Sequence, residues 1–99
     1  MIPNPQALVH DYSPEYFLAP LGDAAFEYAT LLARRLRAKS KRVYLDFDGR
    51  SLKSQMRLAD KLRSKGVLII GDEELKSGTL VLRDMATKEQ RNVREEDLV

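Results

Sequence analysis

The stretch that decides the fold is residues 42–70, "RVYLDFDGRSLKSQMRLADKLRSKGVLII". An apolar strand over residues 42–47 runs into an Asp-Gly turn, and Ser51 can cap a helix that ends near Gly66. The buried stripe predicted for this helix consists of Leu52, Met56, Ala59 and Leu62. The uniformly apolar residues 67–70 then predict a central strand. Because a helix that crosses over between two strands returns the chain in the same direction, these two strands are expected to be parallel, with a right-handed connection.

The flanking sequence extends this unit on both sides. Residues 16–21 predict an earlier strand, and Asp23 stands where it can cap a helix reaching about residue 39. On the C-terminal side the sequence predicts a helical turn at 72–75, strands at 79–84 and 89–93, and a last helical turn at 94–99. We therefore expect an α/β fold: a single-domain three-layer sandwich whose mixed five-stranded sheet, with its first three strands parallel and a C-terminal hairpin, is flanked by helices.

Length and composition narrow the class of protein. A chain of 99 residues predicts one domain, which we place at residues 15–99 behind a proline-rich linker or arm, residues 1–14. No apolar run approaches the roughly 20 residues that span a bilayer. The sequence has no cysteine and a single histidine, which excludes disulfides, thiolate chemistry and Cys-ligated zinc. A cytoplasmic location is the expectation.

The net charge of +2 conceals a strong asymmetry. Residues 34–65 carry twelve Lys or Arg against three acids, a local charge of +9, and the remainder carries five basic and twelve acidic residues, a local charge of −7. Such a division indicates a basic surface that faces a polyanion. Two solvated, Lys/Arg-rich helix faces would produce the same pattern.

A phosphatase is a remote alternative. Asp46-Phe47-Asp48-Gly49, after an apolar strand, resembles the first motif of haloacid-dehalogenase-type phosphatases, in which one Asp attacks phosphorus and the other transfers protons. That family has Thr or Val after the glycine, where this chain has Arg50, and it needs further motifs that are not found here. We therefore interpret Asp46 and Asp48 as the polar end of a strand followed by an Asp-Gly turn.

Three other stretches carry a more extensive resemblance: "FLAPLGDAAFEYATLLARRLR", "SLKSQMRLADKL" and "VLIIGDEELKSGTLVLRDMATKEQ". In this order they resemble the C-terminal anticodon-binding domain of bacterial-type histidyl-tRNA synthetases, class IIa aminoacyl-tRNA synthetases. The resemblance implies a non-catalytic domain that binds the anticodon loop of histidine tRNA, with no cofactor or metal of its own. ATP and magnesium would belong to a catalytic domain absent from this sequence. The intact enzyme is expected to be a homodimer, with no role for a membrane or DNA.

The resemblance also implies which residues contact RNA. Glu74 and Arg83 match positions that read anticodon bases, and Arg83 could donate two hydrogen bonds to guanine O6 and N7. The full set of expected RNA-binding residues is Gly49, Arg50, Lys53, Glu74 and Arg83. Arg57 and Lys61 are weaker candidates, because they follow Lys53 at four-residue spacing on the same helix face. No residue is expected to be catalytic or to bind a metal.

Each assignment has a structural competitor. Glu74 could simply favour a helix N-terminus, and Arg83 could pair with Asp84, Glu89 or Glu74. The rival function is a synthetase-like protein-interaction or regulatory module. Exposed apolar area around Leu8, Val9 or Leu98 would favour that rival.

Overall fold

The computed structural model describes residues 13–46 and 51–98 of the chain. The strands in chain order are β1 (Tyr16–Pro20), β2 (Val43–Leu45), β3 (Gly66–Ile70), β4 (Leu80–Asp84) and β5 (Gln90–Val93). They form one sheet of order β2-β1-β3-β4-β5. β1 pairs in parallel with β2 and β3, while β3 pairs antiparallel with β4, and β4 with β5. The predicted mixed sheet, with three parallel strands and a central β3, is confirmed.

Helices cover both faces of the sheet, as the predicted three-layer sandwich requires. They are α1 (Asp23–Ala38), α2 (Leu52–Lys61), α3 (Asp72–Ser77) and a final 3₁₀ helix (Glu95–Leu98). α1 packs on one face, where Leu32 and Leu36 join Leu18 and Leu68 in a single buried cluster. α2 packs on the opposite face.

The α2 helix begins where the sequence predicts it. The Ser51 Oγ accepts a hydrogen bond of 3.2 Å from the Ser54 N–H, which satisfies one of the free backbone donors of the first turn. Ala59 is fully buried, and its small side chain allows the helix to approach Phe17 and Val67 closely. In the first turns of α2 the buried residue is Gln55. Leu52 and its apolar neighbours, which were expected to form the buried stripe, are only half-buried.

Two predicted helix ends are wrong, and the first is the start of α1. Gly22, not Asp23, precedes the helix, and its carbonyl accepts the Phe26 N–H at 2.9 Å. Asp23 is instead the first helical residue. Its carboxylate there still complements the positive end of the helix dipole, so the residue was correctly linked to the helix start but placed one position too early.

The second wrong end is the C-terminus of α2. The helix stops at Lys61, and Arg63 adopts the left-handed conformation with φ 58°, a position where glycine was expected. Gly66 instead opens β3, and a Cβ there would lie 3.0 Å from Leu82 Cδ1. The glycine therefore serves the close approach of two neighbouring strands rather than the end of a helix.

A polar cluster fixes the 3₁₀ helix against α1. Arg35 donates to both carboxylate oxygens of Glu95, with Nε–Oε2 at 2.8 Å and Nη2–Oε1 at 2.7 Å, and the Tyr28 hydroxyl donates to Glu95 Oε1 at 3.0 Å. The hydrogen bonds from Arg35 hold the pKa of Glu95 below its usual value, although partial burial opposes them. Burial, together with Glu95, raises the pKa of Tyr28.

We expect Glu95→Gln to lower the free energy of unfolding at pH 7, because it removes the bidentate ion pair with Arg35. The loss should be only about 0.5–1 kcal/mol, because the pair is partly exposed and screened by solvent. A carboxyl whose pKa is depressed by folding stabilises above its unfolded pKa, and that contribution is lost as pH falls through the folded pKa. The difference between parent and variant should therefore shrink as the pH falls through the depressed folded pKa of Glu95. Urea unfolding followed by circular dichroism at pH 7 and pH 3 measures it; equal stability at pH 7 would contradict the role given to Glu95.

Candidate functional site

Strand register places Arg83 on the face of the sheet that α2 covers. Val67 of β3 lies opposite Phe17 of β1 and opposite Arg83 of β4, and Arg83 in turn lies opposite Gln90 of β5. Residues directly opposite each other point to the same face. Phe17 and Val67 form a buried cluster with Ala59 of α2, so Arg83 projects beside that helix, over the β4–β5 half of the sheet.

A groove of about 530 Å³ lies between α2 and the end of β4. Its lining carries four cations, Lys53, Arg57, Arg83 and Lys88, and one carboxylate, Asp60. Within residues 13–46 and 51–98 none of the four cations forms an ion pair. The groove is therefore positive and its charges remain available to an anionic ligand.

The base of the same groove is apolar. Leu52, Met56 and Met85 line it, and all three pack against the core cluster beneath α2. A positive rim above an apolar base suits a ligand with a charged backbone and flat, weakly polar groups, which is the chemistry of an unpaired nucleic-acid strand.

The guanidinium of Arg83 is only partly engaged. Its Nη1 donates to Gln90 Oε1 at 2.9 Å, and its Nε is buried without a hydrogen-bond partner among the described residues. The alternatives expected from sequence, pairing with Asp84, Glu89 or Glu74, are not the contact found. Because a guanidinium has five N–H donors, Arg83 retains donors that a ligand in the groove could use.

Helical geometry determines which side chains of α2 reach the groove. Lys53 and Arg57 line it, whereas Lys61 does not and Asp60 does. Each four-residue step turns about 40° around the helix, so Lys61 is about 80° from Lys53, while Asp60 is only about 20° away. Cations placed every four residues along α2 therefore leave the groove after the second of them, Arg57.

Glu74 lies elsewhere. It belongs to α3, and its Oε1 accepts the Gly71 N–H at 2.7 Å, so the expected structural role at a helix N-terminus is present. Arg83 lies opposite Val67, three residues before the end of β3 at Ile70, about 10 Å along the strand. Glu74 does not line the groove, but a carboxylate can accept further hydrogen bonds, so the prediction of a base contact stands as a prediction.

The remaining predicted site residues fall outside the groove or outside the described residues. Gly49, Arg50 and Asp48 lie outside the described residues. Asp46 is buried at the end of β2. The described part of the chain contains no group of three or more His, Asp or Glu side chains that could hold a metal ion, and none of its helices is long and apolar enough to cross a membrane.

Of the three apolar residues that would have favoured an interaction module, Leu98 is buried, with 2% of its surface exposed. Leu8 and Val9 lie outside the described residues. Leu98 therefore gives no support to the interaction alternative.

Among the groove residues that sequence reasoning did not assign to the site are Met85 and Lys88. Both belong to the connection between β4 and β5. The predicted hairpin already implied that residues flanking its turn lie beside the end of β4, and therefore close to Arg83. A signal was present, but in the strand pairing rather than in the pattern of charge.

Comparison with known proteins relates this chain to one family. Residues 15–99 match the sequence model of a family described as the anticodon binding domain. The chain is 40% identical over 86 residues to histidine--tRNA ligase of Acetivibrio thermocellus, covering 87% of this chain and 21% of that protein. It is 46% identical over 80 residues to the Syntrophotalea carbinolica ligase, covering 81% and 19%. The crystal structure of apo S. aureus histidyl-tRNA synthetase superposes with a TM-score of 0.83 at 31% identity, covering 89% and 23%.

Proposed function

The chain belongs to the family of anticodon-binding domains, and from this premise we propose that it binds the anticodon arm of histidine tRNA. The curated relatives are histidine--tRNA ligases, which supports histidine tRNA over the tRNAs of other amino acids. The observation that carries the proposal is the positive groove beside α2, which Arg83 lines with its guanidinium only partly engaged, by a hydrogen bond to Gln90.

The groove has the features that recognition of a single strand requires. Phosphate contacts position the RNA and supply most of the affinity, and base contacts supply the choice of sequence. Lys53 and Arg57 on α2 suit the first task. Arg83, whose planar fork matches the acceptor pair of guanine, suits the second.

The chain spans about a fifth of the length of the curated relatives that it matches. In a protein of that length, aminoacylation would be performed by a separate catalytic domain, with ATP and magnesium bound there. The domain described here would hold the tRNA. A cytoplasmic location and a homodimeric enzyme are parts of the same proposal.

The proposal is tested by titrating the 99-residue chain with a histidine-tRNA anticodon stem-loop at several salt concentrations. We expect the cognate loop to bind more tightly than a loop with changed anticodon bases. We also expect the logarithm of the affinity to fall with the logarithm of salt concentration, with a slope of about −2 to −3 if three to four phosphates are neutralised. Equal binding of both loops would contradict anticodon recognition, and absence of binding at low salt would contradict RNA binding altogether.

A further inference from the structure

The connection between β4 and β5 is organised by one carboxylate. Asp84 Oδ1 accepts the backbone N–H groups of Ala86 at 2.8 Å and of Thr87 at 3.2 Å. The Asp84 carbonyl accepts the Lys88 N–H at 2.8 Å, and the Asp84 N–H donates to the Glu89 carbonyl at 2.8 Å. Four hydrogen bonds to a single residue fix this turn relative to the end of β4.

The turn is also attached to the rest of the sheet. The Met85 N–H donates to the Lys65 carbonyl at 3.1 Å, just before β3, and the Met85 side chain packs against the core cluster beneath α2, as Met56 does. The turn therefore forms the side of the groove that faces α2, and it presents Met85 at the base and Lys88 at the rim.

Lys88 adopts an unusual backbone conformation for a side chain of its kind. Its φ of 67° lies in the left-handed region, which is disfavoured for a residue with a Cβ and is normally occupied by Gly, Asn or Asp. Among the described residues, Lys88 forms no ion pair that would compensate. The backbone conformation of the turn therefore does not explain why position 88 carries a lysine.

We propose that the β4–β5 turn is the second wall of the RNA groove. Lys88 contacts a phosphate on the side of the groove away from α2, and Met85 with Met56 forms the apolar seat for the base of an unpaired nucleotide. The inference rests on the proposed function and adds residues to it that neither charge pattern nor resemblance assigned. An RNA strand is the ligand that fits this groove, because four cations outnumber one carboxylate along its lining.

The decisive variant is Lys88→Gly, because glycine accepts positive φ and removes the charge without disturbing the turn. Lys76→Ala is the matched control: it removes one exposed lysine from α3, which does not line the groove. We expect Lys88→Gly to weaken binding of the anticodon stem-loop by a factor of about three to five. The salt slope should become shallower by about 0.7, with the ratio between cognate and altered loops unchanged and the melting temperature not lowered.

The outcomes separate this inference from the function on which it rests. If Lys88→Gly binds like the parent while the parent still distinguishes anticodons, the second wall is overturned and the proposed function stands. If Lys76→Ala loses as much affinity as Lys88→Gly, only diffuse positive charge is at work and the wall is overturned. If duplex RNA of equal length competes as well as the loop, the seat for an unpaired base is overturned. If the parent binds no RNA, both proposals fail.

Discussion

Arg83→Ala is expected to abolish the preference of this chain for the cognate anticodon. A bidentate contact between arginine and a base discriminates by about 1–3 kcal/mol, so the ratio of affinities for cognate and altered loops should fall by roughly 5- to 150-fold. The change should be confined to recognition. Among the described residues, Arg83 donates a hydrogen bond to one side chain, that of Gln90, which is exposed and can be solvated once the arginine is removed.

Arg83→Lys separates the shape of the side chain from its charge. Lysine preserves the positive charge but cannot reproduce the planar fork of donors. We expect Arg83→Lys to retain the salt dependence of the parent and to lose most of the discrimination. Competition binding with cognate and altered stem-loops measures both quantities. Full discrimination by Arg83→Lys would show that the planar fork of Arg83 is not what distinguishes the bases, and full discrimination by Arg83→Ala would remove Arg83 from recognition.

The fold could be predicted because its main signals are local and mutually consistent. Hydrophobic runs separated by helical periodicity dictate the crossovers, and Ser51 marks the start of α2 correctly. The errors occur where a residue serves a contact distant in sequence. Gly66 is needed for the approach of Leu82 across the sheet. The left-handed residue that follows the end of the helix is instead Arg63, a conformation that its side chain gives no reason to expect.

The candidate site was predictable only in part, for a related reason. Lys53, Arg57 and Arg83 were identified from charge and resemblance, and the structure brings all three to one groove. Lys88 completes the groove through the β4–β5 turn, and only strand pairing reveals its proximity. Glu74 was selected by motif, which could not show that it lies beyond the end of β3. Lys61 was selected by four-residue spacing, which could not show that it turns away from the groove around α2.

Phe17 is the largest fully buried side chain in the cluster beneath α2. Phe17 is fully buried, stacks on Tyr44 with ring centroids 5.3 Å apart at 19°, and belongs with Ala59 and Val67 to the cluster beneath the helix. Phe17→Ala would leave a cavity there and cost about 3–5 kcal/mol. A domain of this size has a total stability of about 5–15 kcal/mol, so the loss is a large fraction of it.

We therefore expect Phe17→Ala to lower the melting temperature by about 15–30 °C. Leu31→Ala is the matched control: it removes an apolar side chain from α1 that is 50% exposed, and it should change stability by less than about 0.5 kcal/mol.

Phe17→Ala should also weaken RNA binding, because α2 carries Lys53 and Arg57. At 10 °C below the melting temperature of the variant, its folded fraction should bind the anticodon stem-loop more weakly than the parent does. Thermal unfolding by circular dichroism, with binding measured at that temperature, tests both effects. A melting temperature within a few degrees of the parent would show that the core beneath α2 can close without Phe17, and unchanged affinity would show that the groove does not depend on how α2 is seated.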